Sequence, residues 1–408
     1  MVKKMDQSIP PDADAIASTE ISRRSLLAGA GGIGAASLLA TTGASLVSGL
    51  ASESASAASP TVRFGNWSLY LDYDNKTKKY PTLVDFTKKT GIPVNYMEAI
   101  DDNDSFTAKV TPQLKLKKDI GYDVVAPTEW MAERWIKSGF AQKFDDAQIP
   151  NKKNVLPFLL NRPLDPGRHY TLPWAGIIAG LAWNKKILPA GLTSIEDKVH
   201  PERGLFSNPK LKGKIEVLSE MRDTVGLIMM WQGVDITKPF TQDKWDNALA
   251  YLQKKVKDGW IRQIKGQSYA EDLISGDAVA VIGWSGDINQ LNLQNNNQFG
   301  FGLPESGATF STDNMLIPST SPNKAGAQAL INYYYDPVVA ARVSNYIAYV
   351  SPVAGAQEAM AKINPAQAKN PLIFPDDAMW KKLFVFRALS PAEQIKFSTG
   401  FQKVAGNA

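Results

Sequence analysis

The run Ala278-Val279-Ala280-Val281-Ile282 is unbroken in small and β-branched residues, the pattern of a strand buried on both faces. Shorter runs of that kind recur at 61–67 (TVRFGNW), 92–96 (IPVNY), 122–127 (YDVVAP), 214–219 (KIEVLS) and 312–318 (TDNMLIP). Between them the apolar spacing switches to the helical period. Residues 79–90 put Leu83, Phe86 and Thr87 on one side and stop at Gly91. Residues 221–232, 243–258, 323–335 and 337–347 predict further helices, and 171–174 leads into an apolar stretch to Trp183 that reads as a crossover between lobes. Helix and strand thus alternate, which predicts an α/β fold with parallel sheets. In such sheets ligands gather beyond the carboxyl ends of the strands. Three of those ends carry a tryptophan near a hydroxyl residue: Trp67 with Ser68, Trp130 with Thr128, and Trp284 with Ser285.

Composition narrows the chemistry. The 408 residues suffice for two domains, and 44% apolar with 21% charged residues is ordinary for a globular chain. There is no cysteine, which excludes disulfides, thiolate metal sites and thiol catalysis. The two histidines, His169 and His200, lie in turn-rich sequence and read as loop residues. Residues 1–57 read as an export signal: twin arginines (Arg23, Arg24), a mildly apolar Gly/Ala-rich stretch, and the small-residue motif Ala55-Ser56-Ala57. An uncleaved anchor is the alternative. Residues 29–34 match G-x-G-x-x-G, but without the flanking strand and helix that a dinucleotide site needs. Beyond residue 57, 41 of the 45 basic and 35 of the 40 acidic residues remain, net +6. The basic residues are scattered, so a nucleic-acid partner is not expected.

The candidate chemistry starts at VIGWSGD (281–287), where a strand ends in an aromatic ring, a hydroxyl, a flexible glycine and a carboxylate. Asp287 taken alone also reads as the cap of a helix starting at Ile288. Asp101-Asp102-Asn103-Asp104-Ser105 lacks the glycine and closing glutamate of a calcium loop and reads as a helix cap. No nucleophile, base and orienting group form a set, so the chain does not read as an enzyme.

In order along the chain, FGNWSLY (64–70), TKKTGIPV (87–94), YDVVAPT (122–128), LISGDAVAVIGWSGD (273–287), STDNMLIP (311–318), ALINYYYDPVVAARVSNYIAYVSP (329–352) and NPLIFPDD (370–377) resemble the extracytoplasmic polyamine-binding proteins of ABC importers, the spermidine/putrescine family. The resemblance implies a two-lobed α/β fold of the periplasmic-binding-protein type (type II), closing on ligand by hinge motion. It places 58–176 and 311–357 in the first lobe and 177–310 and 358–408 in the second. It implies a monomeric receptor without cofactor, and membrane permease subunits as partners.

A polyamine is an alkyl chain punctuated by ammonium groups, which wants aromatic walls and carboxylates. The family pattern carries over to Trp67, Ser68 and Tyr70 after the first strand, and to Thr128 at the third strand end, with Trp130 as wall or lobe packing. It also carries over to Trp284 and Asp287 as ring and counter-charge, Asp313 on the other side of the cleft, and Tyr349 as a further wall. Two positions depart from it. Leu69 stands where many members have an acid. In SEMRDTVG (219–226) Thr224 aligns with a gripping carboxylate, leaving Glu220 and Asp223 out of register. Glu129 offers a compensating charge. Fewer acids leave open a different organic cation or an amino-acid-derived amine as ligand, or a sensor using the same cleft. Tyr333-Tyr334-Tyr335 admits a ferric reading, set aside because the family has a core helix there.

Overall fold

The computed structural model describes residues 60–406; the export signal, its cleavage motif and the glycine-rich run lie outside the described residues. Ten described strands join in one sheet: β1 (Val62–Trp67), β2 (Val94–Ile100), β3 (Val124–Val125), β4 (Thr171–Asn184), β5 (Ile215–Leu218), β6 (Ile261–Lys265), β7 (Ala280–Trp284), β8 (Phe299–Gly302), β9 (Ala308–Leu316) and β10 (Leu383–Phe384). Their order is β2-β1-β3-β9-β4-β7-β5-β6, with β8 added on β4 and β10 on β9.

The flanks are parallel as the alternation predicts: β1 with β2 and β3, and β5 with β6 and β7. The middle is not. β4 and β9 pair antiparallel from Thr171↔Leu316 to Ala179↔Thr309, and β4 then continues antiparallel to β7. The apolar stretch read as a crossover is thus one strand of 14 residues, buried at all but one position. A chain that passes from one half of the sheet to the other and back lays two strands side by side in opposite directions, and these are β4 and β9. The run 122–127 shortens to two strand residues; Pro127 has no N–H for a ladder.

Two hydrophobic cores flank this central pair. One gathers Phe64, Phe86, Trp174, Leu330 and Tyr334; the other gathers Val217, Leu227, Trp245, Ile282 and Phe397. The helix Pro81–Thr90 packs Leu83 and Phe86 into the first and ends at Gly91, whose left-handed φ of 72° lets its N–H bond Thr87 O. Tyr333, Tyr334 and Tyr335 belong to this core, with Tyr335 donating to Pro173 O at 2.6 Å. The C-terminal stretch divides. The helix Pro391–Ala405, started by a Ser390/Glu393 capping box, stacks Phe397 on Trp245 at 4.1 Å in the second core. The helix Ala356–Ile363 instead packs Met360 with Ala341 of the helix Pro337–Ile347.

Candidate functional site

Between the two cores runs a narrow cavity of about 70 Å³. The end of β1 supplies Trp67, followed by Ser68 and Tyr70; Thr128 follows β3, Trp284 ends β7, Asp313 lies on β9, and Tyr349 follows the helix Pro337–Ile347. Both tryptophans are fixed in orientation. Trp67 Nε1 donates to Ala126 O at 2.8 Å, and Trp284 Nε1 donates to Asp223 Oδ2 at 2.8 Å. Tyr349 stands edge-on to Tyr70, their ring centroids 5.1 Å apart.

Asp313 is buried, and Thr128 Oγ1 donates to its Oδ1 at 2.7 Å. Thr128 is itself held by Asn103, which donates to its hydroxyl at 3.0 Å and accepts its N–H at 3.1 Å. Burial pushes the Asp313 carboxyl up to about 7, against the opposing pull of the Thr128 bond. Glu220 reaches about 7 for the same reason, with Arg222 opposing, and burial also raises Asp223.

Four expected site residues are placed differently. Thr224 is fully buried and donates to Leu218 O at 2.7 Å, away from the cavity. Its neighbour Asp223 lines the cavity instead, together with Glu220. Glu220 caps the helix Met221–Trp231 by accepting the Arg222 N–H, which sets Asp223, itself buried, toward the cavity and turns Thr224 away from it. The capping pattern Glu220-x-x-Asp223 was the available signal.

Asp287 does not line the cavity. It sits behind Tyr349 as the common acceptor of Tyr349 Oη at 2.6 Å, Tyr269 Oη at 2.8 Å and Gln267 Nε2 at 3.0 Å. The helix begins at Ser285, not Ile288, so Asp287 falls in its buried first turn. These bonds fix the orientation of Tyr349 and Tyr269. Gly286, read above as a flexible glycine, is tightly enclosed. A Cβ there would lie 2.0 Å from the Tyr349 ring, so glycine is what lets that ring cross the helix start. Gly286→Ala should therefore displace Tyr349 and destabilise by about 1–3 kcal/mol, the range for overpacking. A melting curve superimposable on that of the parent would contradict this.

Glu129 and Trp130 also lie outside the narrow cavity. Arg162 donates to Glu129 Oε1 from Nε at 3.0 Å and Nη2 at 2.7 Å, which neutralises the charge expected to compensate. Trp130 donates from Nε1 to Glu220 Oε2 at 3.2 Å, and Arg222 sits 4.5 Å above its ring. That is packing between the halves of the sheet. Leu69 is 55% exposed with φ 56°, so its side chain points to solvent while its N–H meets Glu98 Oε1 at 3.0 Å. Residues not foreseen as lining are Asp101, Asp102, Asn103, Ile177, Ser219, Gly266, Gln267 and Ser311, besides Glu220 and Asp223. The cavity thus presents Asp101, Asp102, Glu220, Asp223 and Asp313, and no Lys, Arg or His among its described lining.

A two-lobed α/β fold with an aromatic, acid-lined slot between its cores defines a receptor for a small solute. Comparison with known proteins gives the family: the chain belongs to the bacterial extracellular solute-binding proteins, whose sequence model matches residues 82–375. It is 28% identical over 382 residues to the putrescine-binding periplasmic protein SpuD of Pseudomonas aeruginosa, covering 90% of this chain and 97% of that one. It is 27% identical over 344 residues to the putrescine-binding periplasmic protein PotF of Escherichia coli, covering 81% and 87%. Among solved structures, a putative spermidine/putrescine ABC transporter protein from Listeria monocytogenes superposes with a TM-score of 0.69 at 22% identity, over 84% of this chain and 98% of that one. The family is one of solute-binding proteins, not of enzymes. No helix among the described residues is long and apolar enough to cross a membrane.

Proposed function

We propose that this chain is the extracytoplasmic binding component of an ABC importer and that it takes a polyamine of the putrescine or spermidine kind in the slot between Trp67 and Trp284. The observation that carries this reading is the lining itself: five acidic side chains, no basic one, and aromatic rings on both sides. Each ammonium over a ring contributes ~0.5–2 kcal/mol, and micromolar affinity needs about 8 kcal/mol in total. Two such contacts and two charge-assisted hydrogen bonds supply about 4–10 kcal/mol before ordering is subtracted, so burial of the methylene chain, about 0.8 kcal/mol per CH2, has to contribute as well. A narrow slot suits an unbranched chain over a globular solute. On this reading residues 58–176 with 311–357 and 177–310 with 358–408 act as the two lobes. A twin-arginine-type signal exports the chain, and the closed monomer presents its cargo to permease subunits.

Calorimetric titration of residues 58–408 with putrescine, cadaverine, spermidine, spermine and glycine betaine tests it. Saturable binding of one polyamine, with glycine betaine inert, is expected. Absence of heat with every amine, from folded and ligand-free protein, would overturn the substrate class.

The raised carboxyls give the binding a pH signature. Asp313 and Glu220, at about 7, are protonated below that pH and carry no charge to meet an ammonium. Polyamine affinity should therefore fall as pH drops from 8 to 6, and binding near pH 7 should release protons. Ligand-free stability runs the other way. These groups bind protons more tightly folded than unfolded, so their stabilising contribution is complete below their ordinary carboxylate range and is lost as pH rises through about 7. Melting temperatures measured from pH 5 to 8 should fall in the ligand-free protein and fall less, or rise, in the ligand-saturated one.

A further inference from the structure

Past Glu220 and Asp223 the slot adjoins a larger chamber of about 370 Å³. The two share Thr128, Glu220, Asp223 and Ser311 as lining, so the chamber is where a ligand chain longer than the slot would continue. The junction carries two versions of one arrangement. On the slot side the Trp284 indole N–H donates to Asp223 Oδ2 at 2.8 Å; on the chamber side the Trp130 indole N–H donates to Glu220 Oε2 at 3.2 Å. Each couples an aromatic ring to a carboxylate, the combination that an alkylammonium recognises. They differ in one respect. The slot lining includes no basic side chain, whereas the Trp130–Glu220 pair already holds a cation. The Arg222 guanidinium lies 4.5 Å from the centroid of the Trp130 ring, with Nη1 3.9 Å from Glu220 Oε1.

Arg222 is fixed in that place. Its Nη2 donates to Gln394 Oε1 on the helix Pro391–Ala405, and its side chain is only 12% exposed. Burial lowers its proton affinity, and Glu220, Asp104, Glu133 and Asp223 oppose that pull. Asp104 and Glu133 have other cations, Arg134 at 3.3 Å and Lys137 at 2.6 Å. Glu220 pairs with Arg222 alone among the described residues. The other guanidiniums of the chamber are engaged elsewhere, Arg162 with Glu129 and Arg387 with Glu393.

We propose that Arg222 stands in for a third ligand ammonium, and that by filling the Trp130–Glu220 subsite it confines the receptor to diamines. The inference rests on the slot as an ammonium site and narrows the polyamines it takes. A third ammonium carried past Glu220 meets a tethered guanidinium where its ring and counter-charge would be. The longer chain then gives up the hydration of a charge and gains no partner for it, which discriminates against triamines without weakening the slot.

Calorimetry at pH 8 on residues 58–408 tests this with 1,4-diaminobutane and its N-(3-aminopropyl) derivative, spermidine. The parent should bind the diamine at least as tightly as the triamine. Arg222→Gln should move the ratio toward the triamine by about tenfold or more, the worth of one hydrogen bond to a charged group. Arg222→Met serves as the second neutral variant should the first fold poorly. Arg222→Lys keeps a cation and should hold the parent ratio to within about threefold. Adding Trp130→Leu to Arg222→Gln should cancel the triamine's gain, because it removes the ring that the freed subsite offers. Each readout is a ratio within one protein, so loss of active material does not imitate it. A parent that prefers the triamine would overturn the proposal and leave the slot reading intact. Neutral variants that keep the parent ratio would do the same, as would a gain that survives loss of Trp130. Failure of every amine to bind would remove the slot reading and this inference together.

Discussion

Asp313→Asn should weaken diamine binding by about ten- to a hundredfold at pH 8, the ~1.5–3 kcal/mol range of a hydrogen bond to a charged group. The substitution keeps the size of the side chain and leaves an oxygen to accept from Thr128, so the wall it forms is preserved. What it removes is the only charge that β9 contributes to the slot. The choice of pH matters. At pH 6 the parent carboxyl, with its pKa near 7, is already mostly neutral, and parent and variant should converge. Unchanged affinity at pH 8 would show that Asp313 faces no ammonium. A deficit of equal size at pH 6 would show that the loss was one of shape.

The second large effect is on folding. Asp287→Ala strips the acceptor from Tyr349, Tyr269 and Gln267 at once, and each buried donor left alone costs about 1–3 kcal/mol. A loss of at least about 3 kcal/mol is expected, or a melting point lower by roughly 6 °C or more in a chain of this size. The ligand effect of this variant should be indirect, through Tyr349 and through Trp284, whose N–H meets the Tyr269 hydroxyl at 2.8 Å. Thermal unfolding of the ligand-free protein separates the two roles. A variant as stable as the parent but unable to bind diamine would restore Asp287 to direct ligand contact.

Most elements and part of the slot are legible in the sequence. Strand patterns gave β1, β5 and β7 to within a residue or two, and the helix Pro337–Ile347 begins and ends where Pro337 and the period place it. Trp67, Ser68, Tyr70, Thr128, Trp284, Asp313 and Tyr349 fall together in the slot because strand ends in an α/β sheet converge, so an ordered motif fixes position as well as residue type. The misses are rotational. Thr224 and Asp223 differ by about 100° around a helix, a difference that depends on where the cap begins and not on how apolar the neighbours are. Glu129 and Trp130, in the first turn of the helix after Thr128, point to the adjoining chamber for the same reason. Asp102 was read as a helix cap, and it does accept the Ser105 N–H at 2.8 Å; it also lines the slot, a double duty that local pattern cannot show. Asp287 lies behind Tyr349 and off the slot lining, a placement not legible locally because a carboxylate near a tryptophan looks the same in sequence whether it faces a cavity or holds a ring in place.

The pairing of β4 with β9 has a mechanical consequence. Both strands run through the two cores, and besides them only the C-terminal stretch, irregular over residues 385–390, passes between the halves among the described residues. Rotation of one core against the other must be borne as torsion along a two-stranded ribbon, like a rod clamped at both ends. The ribbon has one weak point: the register slips between Pro173 and Ala175, leaving Trp174 opposite no partner and wedged instead into the first core. Twist concentrates where the ladder is thinnest. Any swing of the halves would then depend on how tightly a single buried indole is packed, one ring behind the slot, since Trp174 stands 6.5 Å from Tyr70 between centroids.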